Sequence, residues 1–478
     1  MPIDPKALWT SGAIAAATSG TCVGKWEAAR ISTDSRQLKP GDLFIALKGP
    51  NHDAHDFVAE AFNKGAVGAV VSHMPAKCPP EKLVLVANTF YALQDLGKAG
   101  RARASAKIIA VTGSVGKTGC KEALRQVLSA QAPSFASAAS YNNQWGVPWS
   151  LALLPPDAVY GVFEMGMNHA GELAPLSKLA RPHIALITGI ANVHAAHFAS
   201  LEDIARAKSE IFQGLEPGGT AVLNGDDTYY EVMRQAAAQV GVKNIARFGR
   251  GAGFEAQLEE FSLEAEGSRV RARVLGQPLS YYIGVPGEHW VMNSLAVLLC
   301  AGLAGADLAK AAKTFEKLAL AEGRGGARQV EFPGGHFTLV DESYNASPVA
   351  MEAAIKVLAA RQPARGGSRV LVLGDMKELG DKASEIHAGL ARPILNSGVG
   401  RVYACGELMR YLKEALPEGL CHGWALTSGE LASQVAAEIR DGDIVTVKGS
   451  HSMMMEKVVQ ALLALQPVLV PSKSSATR

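Results

Sequence analysis

The sequence predicts an α/β protein of three domains, the central one a parallel sheet of the P-loop ATPase kind and the last a Rossmann-like α/β unit. Three observations carry this. From residue 105 onward, short apolar runs alternate with helix-forming stretches, the pattern of parallel strands joined by helices. One such run, Lys107-Ile108-Ile109-Ala110-Val111-Thr112, leads into a glycine turn and then a helix. A second glycine cluster, Gly323-Arg324-Gly325-Gly326, interrupts the alternation before a further α/β stretch. The length of 478 residues suits this division.

The elements follow in order. Residues 1–104 hold the strand-like runs Leu43–Leu47, Val67–Val71 and Leu83–Val86. Residues 105–322 hold the glycine turn and the runs Val159–Phe163, Ile184–Thr188 and Ala221–Leu223, with a helix expected over Leu201–Phe212. Residues 323–478 hold Phe337–Val340, Val370–Leu373, Val402–Ala404 and Ile444–Val447. The tail after Pro471, Ser-Lys-Ser-Ser-Ala-Thr-Arg, reads as disordered.

Composition narrows the function. A net charge of +2 supplies no field for a nucleic acid or a membrane surface, so neither is expected as a partner. The six cysteines (Cys22, Cys78, Cys120, Cys300, Cys405, Cys421) form no Cys-x-x-Cys pair, which suits reduced thiols in a cytoplasmic protein better than a disulfide framework or a zinc site. Asp4 and Lys6 precede an alanine-rich stretch without a clean apolar core, so no signal peptide is expected. No apolar run reaches about 18 residues, so no membrane span is expected. Nothing in the sequence demands an obligate oligomer, and a monomer is expected.

The turn after Thr112 reads as a phosphate-binding loop. Strand, glycine turn and helix N-terminus follow one another, so the backbone N–H groups of Gly113, Ser114, Val115 and Gly116 can surround phosphate oxygens. Lys117 supplies a point charge at the outer phosphates, and the Thr118 hydroxyl is placed for magnesium. The common motif has a glycine where Val111 stands, so this is the shorter Thr-Gly-Ser-x-Gly-Lys-Thr form. A chance Gly-Lys-Thr in a surface turn is the alternative; the strand before it and the helix after it weigh against that.

Polar residues recur directly after the apolar runs: Glu164, Asn192 and His197, Asn224 and Asp226, Asp341, Asp375, and Lys448. In open parallel sheets the ligand crevice lies at the carboxyl ends of the strands. Each residue alone reads equally as a cap or turn residue. Their recurrence in two regions favours a nucleotide site between two domains. Glu164 fits a second magnesium ligand beside Thr118. A lone His197 is a metal ligand or a structural histidine. Lys208 on the expected helix reads, on sequence physics alone, as a solvated surface lysine. Asn142-Asn143 before Gly146-Val147-Pro148 caps a helix or holds a polar substrate.

Over residues 30–460 these features resemble the Mur ligases, the ATP-dependent amide-bond synthetases of peptidoglycan precursor assembly. The resemblance rests on Thr33-Asp34-Ser35-Arg36, the run Gly41–Gly49 with His55-Asp56-Phe57, the loop at 112–118, Asn142-Asn143 to Pro148, Glu164-Met165-Gly166-Met167-Asn168, Asn192 to His197, Ala207–Ile211, His289 with Asn293, Asp341–Pro348 and Lys448-Gly449-Ser450. The Asn-Asn, Glu-Met-Gly-Met-Asn and Asp-x-Ser-Tyr-Asn-Ala segments point to the branch that joins D-alanyl-D-alanine to UDP-N-acetylmuramoyl-tripeptide in the cytoplasm.

The resemblance implies roles. Ser35 and Arg36 would belong to a UDP-sugar site in the N-terminal domain, and Asn142 and Asn143 would bind substrate. Lys117, Glu164, His197 and Lys208 would be catalytic. Lys117 would hold the γ-phosphate of ATP, and Thr118 and Glu164 one Mg²⁺. His197 would bind a second Mg²⁺ together with a carbamate formed by CO₂ on Lys208, the reverse of the surface reading of that lysine. Asn293 would face the adenine, and Arg324 and Asp341 would reach the nucleotide from the hinge and the third domain. The chain departs from the family at His194, where glycine is usual, at His451, where arginine is common, and in a shortened segment from His197 to Lys208. The nearest alternatives are a diaminopimelate- or lysine-adding Mur ligase or a folylpolyglutamate synthase. A P-loop switch or motor, or a nucleotide-binding scaffold, would share the loop without the ligase chemistry. The sequence does not say whether the third residue of the tripeptide is meso-diaminopimelate or lysine.

Overall fold

The computed structural model describes residues 7–49, 52–138, 141–191, 198–364 and 366–466. Asn192, His194, His197 and the tail after Pro471 lie outside the described residues. A short antiparallel pair, β1 (Trp9–Thr10) with β2 (Glu27–Ala28), precedes a four-stranded parallel sheet. That sheet is β3 (Arg30–Ser32), β4 (Asp42–Ile45), β5 (Gly68–Val71) and β6 (Leu83–Leu85), side by side in chain order. Because successive side chains point to opposite faces, each strand feeds two cores. Leu43, Ile45, Val70 and Val84 pack on one face, and Phe44, Ala69, Val71 and Leu83 on the other.

The central sheet has nine strands. β7 (Lys107–Thr112), β8 (Ser134–Ala136), β9 (Tyr160–Glu164), β10 (Ile184–Ile187), β11 (Thr220–Asn224) and β12 (Asn244–Gly249) run parallel, in the order β8-β9-β7-β10-β11-β12. Ile109 and Val111 face one core while Ile108 and Ala110 face the other. Burial on both faces is why these strands read as continuous apolar runs. With β9 and β10 on either side of β7, the loops at their carboxyl ends meet at one place.

Beyond β12 the sheet is not the strand–helix alternation expected from the sequence. β13 (Ala256–Leu263) runs parallel to β12, and β14 (Ser268–Val274) and β15 (Gln277–Ile283) add an antiparallel meander. Leu275 and Gly276 both have positive φ (49° and 82°), the two-residue turn that matches the strand twist. Val270, Ala272 and Val274 are buried while Arg269, Arg271 and Arg273 face solvent.

The third sheet has the order β16-β17-β21-β18-β19-β20: β16 (Gly326–Phe332), β17 (Gly335–Glu342), β18 (Arg369–Gly374), β19 (Arg401–Cys405), β20 (Cys421–Ala425) and β21 (Ile444–Lys448). Only its edge strand β16 is antiparallel. Below the sheet, Arg401 and Asp443 form a fully buried ion pair.

The two inter-domain junctions differ in kind. The helix Thr89–Arg103 crosses the helix Gly146–Ala152 through Gly97 and Gly100. A Cβ on either would come within 2.9 Å of the Pro148 carbonyl oxygen or 2.3 Å of that of Leu151, so the backbones touch. Trp149 Nε1 donates to the Ile31 carbonyl (3.0 Å) and Trp9 Nε1 to that of Ala152 (2.9 Å), stitching the same seam. The third domain is joined through Gly323 and Gly325, both at positive φ (73° and 97°), and, among the described residues, by the ion pair of Arg361 with Glu266 (3.0 Å).

Candidate active site

The phosphate loop is shaped by its two glycines. Gly113 has φ 146°, and a Cβ there would stand 1.9 Å from Thr188 Oγ1 at the end of β10. That hydroxyl donates to the carbonyl of Val115 and ties the loop to the sheet. Gly116, at φ 84°, is the left-handed N-cap of the helix Lys117–Ser129, and a Cβ on it would lie 2.9 Å from Asn293 Oδ1. Asn293, on the helix Glu288–Leu303, therefore sits directly against the loop. Lys117 Nζ folds back onto the carbonyls of Gly113 (2.7 Å) and Ser114 (3.3 Å). Its pKa is lowered by burial and by the Arg324 cation, with Glu164 opposing.

Glu164 ends β9 and is 1% exposed. Thr118 Oγ1 donates to its Oε2 (2.8 Å), and Asn142 Nδ2 donates to its Oε1 (2.8 Å). Its own N–H donates to Ser137 Oγ (3.2 Å). A hydroxyl and a carboxylate oxygen, adjacent and buried, are the hard donors that Mg²⁺ takes alongside phosphate oxygens. Among the described residues no group of three His, Cys, Asp or Glu side chains stands ready for a metal.

Lys208 is not the solvated lysine that its helix position suggested. The α-helix runs Leu201–Ser209, capped by the Ser200 side chain, and tightens to a 3₁₀ turn over Glu210–Gly214. Lys208 is 1% exposed and makes no hydrogen bond or ion pair among the described residues. Burial first, and then the Lys117 charge, depress its pKa well below the usual lysine value.

From the hinge side, the Arg324 guanidinium lies 4.1 Å over the Tyr344 ring, and the His451 ring lies 5.2 Å from the same tyrosine. Asp341, near the end of β17, is buried and accepts from Ser343 N (3.1 Å) and Oγ (2.6 Å). Lys448 Nζ donates to Glu342 Oε2 (2.8 Å) and to the Asn345 carbonyl (2.9 Å). Glu342 and Tyr344 were not among the residues singled out from the sequence, although both lie in the quoted Asp341–Pro348 segment. Ser35 is buried, whereas Arg36 is exposed and bonded to Asp34 through Nε (2.9 Å) and Nη2 (2.8 Å).

A cleft of about 1110 Å³ opens beside Asn142, the residue that bonds Glu164. Asn142 and Asn143 line its inner end, and Asn143 Oδ1 also caps the next helix by accepting from Gly146 N (3.0 Å). One wall is the face Phe90, Gln94, Lys98 and Ala102 of the helix Thr89–Arg103; Lys178 and Arg181 also line the cleft. Sequence reasoning did not find these wall residues. The available signal was the four-residue spacing of 90, 94, 98 and 102, which puts them on one helical face. Ser35 and Arg36 do not line this cleft.

A phosphate loop at the switch point of a parallel sheet, a metal-type carboxylate beside it and a Rossmann-like domain reaching it across a glycine hinge define an ATP-using two-substrate enzyme. The family models agree: "Mur ligase family, catalytic domain" matches residues 27–104, "Mur ligase middle domain" 111–301, and "Mur ligase, glutamate ligase domain" 328–451. The chain belongs to the Mur ligase family, and is an ATP-dependent amide-bond ligase. It is 32% identical to the UDP-N-acetylmuramoyl-tripeptide–D-alanyl-D-alanine ligase of Rickettsia prowazekii, over 95% of this chain and 99% of that one. The Escherichia coli ligase of the same name is 33% identical, covering 90% and 93%. A crystal structure of MurF from Acinetobacter baumannii superposes with a TM-score of 0.84 at 31% identity, covering 97% of this chain and 100% of that one. MurF from Thermotoga maritima in complex with ADP gives 0.74 at 26%, covering 91% and 97%. Among the described residues no helix is long and apolar enough to cross a membrane.

Proposed function

We propose that this protein joins D-alanyl-D-alanine to the terminal carboxylate of UDP-N-acetylmuramoyl-tripeptide, forming ADP and phosphate. A carboxylate oxygen of the tripeptide attacks the γ-phosphorus of ATP. The bond from that phosphorus to the β–γ bridging oxygen breaks, and ADP leaves. The dipeptide amine then attacks the acyl carbon of the acyl phosphate; the C–O bond breaks, phosphate departs, and the ammonium proton passes to it or to water. The first step brings two anions together and the second develops negative charge on the acyl oxygen and the leaving phosphate, so fixed positive charge at the loop is what the chain must supply.

The observation that carries this reading is the cleft whose inner wall, Asn142, is hydrogen-bonded to Glu164, itself bonded to Thr118 of the phosphate loop. An acid held against Asn142 would sit two hydrogen bonds away from Thr118 of the phosphate loop. Lys98, Lys178 and Arg181 suit the anionic parts of a UDP-linked substrate, with Ser35 and Arg36 further along the N-terminal domain. Lys117 holds the γ-phosphate, the loop N–H groups from Gly113 to Gly116 the β-phosphate, Asn293 the adenine side, and Arg324 and Asp341 the nucleotide from the hinge and third domain. Thr118 and Glu164 would hold Mg²⁺, which supplies charge neutralisation on the triphosphate.

Lys208 carries the second part of the proposal. A neutral amine adds its lone pair to CO₂ and loses one proton, giving a carbamate whose oxygens suit a second Mg²⁺ with His197. The burial of Lys208, its want of a partner among the described residues and the family resemblance support this. A monomer acting in the cytoplasm fits this reading, since one chain carries every residue named and the proposed substrate is nucleotide-linked. The test is phosphate release by the pure protein with ATP, Mg²⁺, UDP-N-acetylmuramoyl-tripeptide and D-alanyl-D-alanine. Each component is omitted in turn, and meso-diaminopimelate and lysine tripeptides are compared. Release that ignores either organic substrate would overturn the assignment.

A further inference from the structure

We infer that Asn142 is a positioning residue that fixes the metal-binding carboxylate of Glu164 and couples it to the substrate cleft; the inference rests on the reading above. Glu164 is held at both oxygens by side chains from different elements, Thr118 at Oε2 and Asn142 at Oε1, each at 2.8 Å. The terminal torsion of a glutamate is soft and roughly two-fold. A carboxylate tethered at Oε2 alone can turn that oxygen away from the phosphate loop. The Asn142 donor removes this freedom.

Asn142 is itself locked. Its carbonyl accepts from Gly166 N (2.8 Å), and its side-chain amide lies 2.9 Å from where a Cβ on residue 166 would be, so glycine at 166 makes room for it. The anionic neighbour demands a donor, which sets the amide with Nδ2 on Glu164. Its Oδ1 has no hydrogen-bond partner among the described residues, while the residue lines the cleft. A donor on the bound acid substrate, such as a peptide N–H, would pair with Oδ1, polarise the amide and strengthen the bond from Nδ2 to Glu164. Filling the cleft and binding the metal–nucleotide pair then favour each other, reciprocally.

Mn²⁺ serves as a spectroscopic stand-in for Mg²⁺. Its binding to the full-length protein with ADP is followed by electron paramagnetic resonance, with and without UDP-N-acetylmuramoyl-tripeptide, in wild type, Asn142→Ala and Gly166→Ala. Loss of the orienting partner should weaken Mn²⁺ about 10- to 100-fold, leave metal-free ADP binding unchanged, and abolish the tightening that the tripeptide produces in wild type. Gly166→Ala, which displaces the Asn142 amide without removing it, should fall in the same direction and guards against a misfolded first variant. Wild-type Mn²⁺ affinity in both variants, with only the KM for the UDP-substrate raised, would overturn the inference and leave Asn142 a simple substrate ligand. Failure of the wild type itself to bind Mn²⁺ with ADP would instead strike the proposed function.

Discussion

Replacing Lys208 by methionine should make the protein more stable and catalytically inert. Methionine keeps the length of the side chain and removes the amine. The residue is 1% exposed, and its amine makes no hydrogen bond or ion pair among the described residues. A fully buried polar group without a partner costs about 1–3 kcal/mol, which sets the upper bound on what the variant gains. For a domain of this size, each kcal/mol moves Tm by about 2–4 °C, giving a rise of at most about 12 °C. The gain depends on pH in a definite direction. Burial and Lys117 hold the folded pKa below the unfolded value, so between those two values unfolding takes up a proton. Lys208 therefore weakens the fold more as pH falls through that window, and least near the ordinary lysine value of about 10.4. The variant's advantage should shrink from neutral to alkaline pH.

The assay is thermal unfolding of both proteins in CO₂-depleted buffer with chelator, from pH 7 to 10, beside turnover in bicarbonate with Mg²⁺. Turnover should fall by at least about two orders of magnitude, as when a group acting on developing charge is lost. Acetate should restore part of the activity of Lys208→Ala, whereas Lys208→Arg, unable to form a carbamate, should not respond. A methionine variant no more stable than wild type at neutral pH would show that the amine is satisfied where it lies. Unimpaired turnover would remove Lys208 from the metal site.

Lys117→Ala should lower turnover by at least about 100-fold at saturating ATP with an unchanged circular dichroism spectrum, because the loop backbone forms without the ammonium. Gly116→Ala forces a side chain into left-handed backbone at about 1–2 kcal/mol and onto Asn293; ADP affinity, read by calorimetry, should fall about tenfold, and an unchanged value would refute the tight approach of Asn293. Arg36→Ala should raise the KM for the UDP-substrate well above any change in that for ATP, and equal rises would contradict a UDP role. Asp443→Ala leaves Arg401 buried without its partner and should cost about 3–5 kcal/mol in urea unfolding; a loss under 1 kcal/mol would mean water reaches the pair.

Much of the architecture was legible because strands buried on both faces advertise themselves. The run Ile184–Thr188 became β10, and Val370–Leu373 lies within β18. The β14–β15 meander was missed because its alternating Arg–apolar pattern was not weighed against the apolar-run signal, although Leu275-Gly276 marked the turn. Single residues were less legible where neighbours distant in sequence decide their state. Lys208 looks solvated on its own helix and is buried only once that helix packs down. The bond from Asn142 to Glu164 joins positions twenty-two residues apart on separate elements. The cleft wall of Phe90, Gln94 and Lys98 joins Lys178 and Arg181 only after the helix Thr89–Arg103 has folded against the central domain.

The glycine seam at Gly97 and Gly100 bears on how the enzyme meets an inhibitor. Two helices in backbone contact, pinned by indole hydrogen bonds at Trp149 and Trp9, back the cleft with a tight seam and contribute Phe90, Gln94, Lys98 and Pro148 to it. Such a seam favours a cleft shaped before nucleotide arrives, and the glycines Gly323 and Gly325 favour motion of the third domain instead. A small molecule fitted to the cleft bears no closure penalty and is not diluted by an unproductive open population. One aimed at the nucleotide or acceptor side must capture the third domain as well. Rigid ligands should therefore do best against the cleft, and flexible, domain-bridging ones against the hinge side.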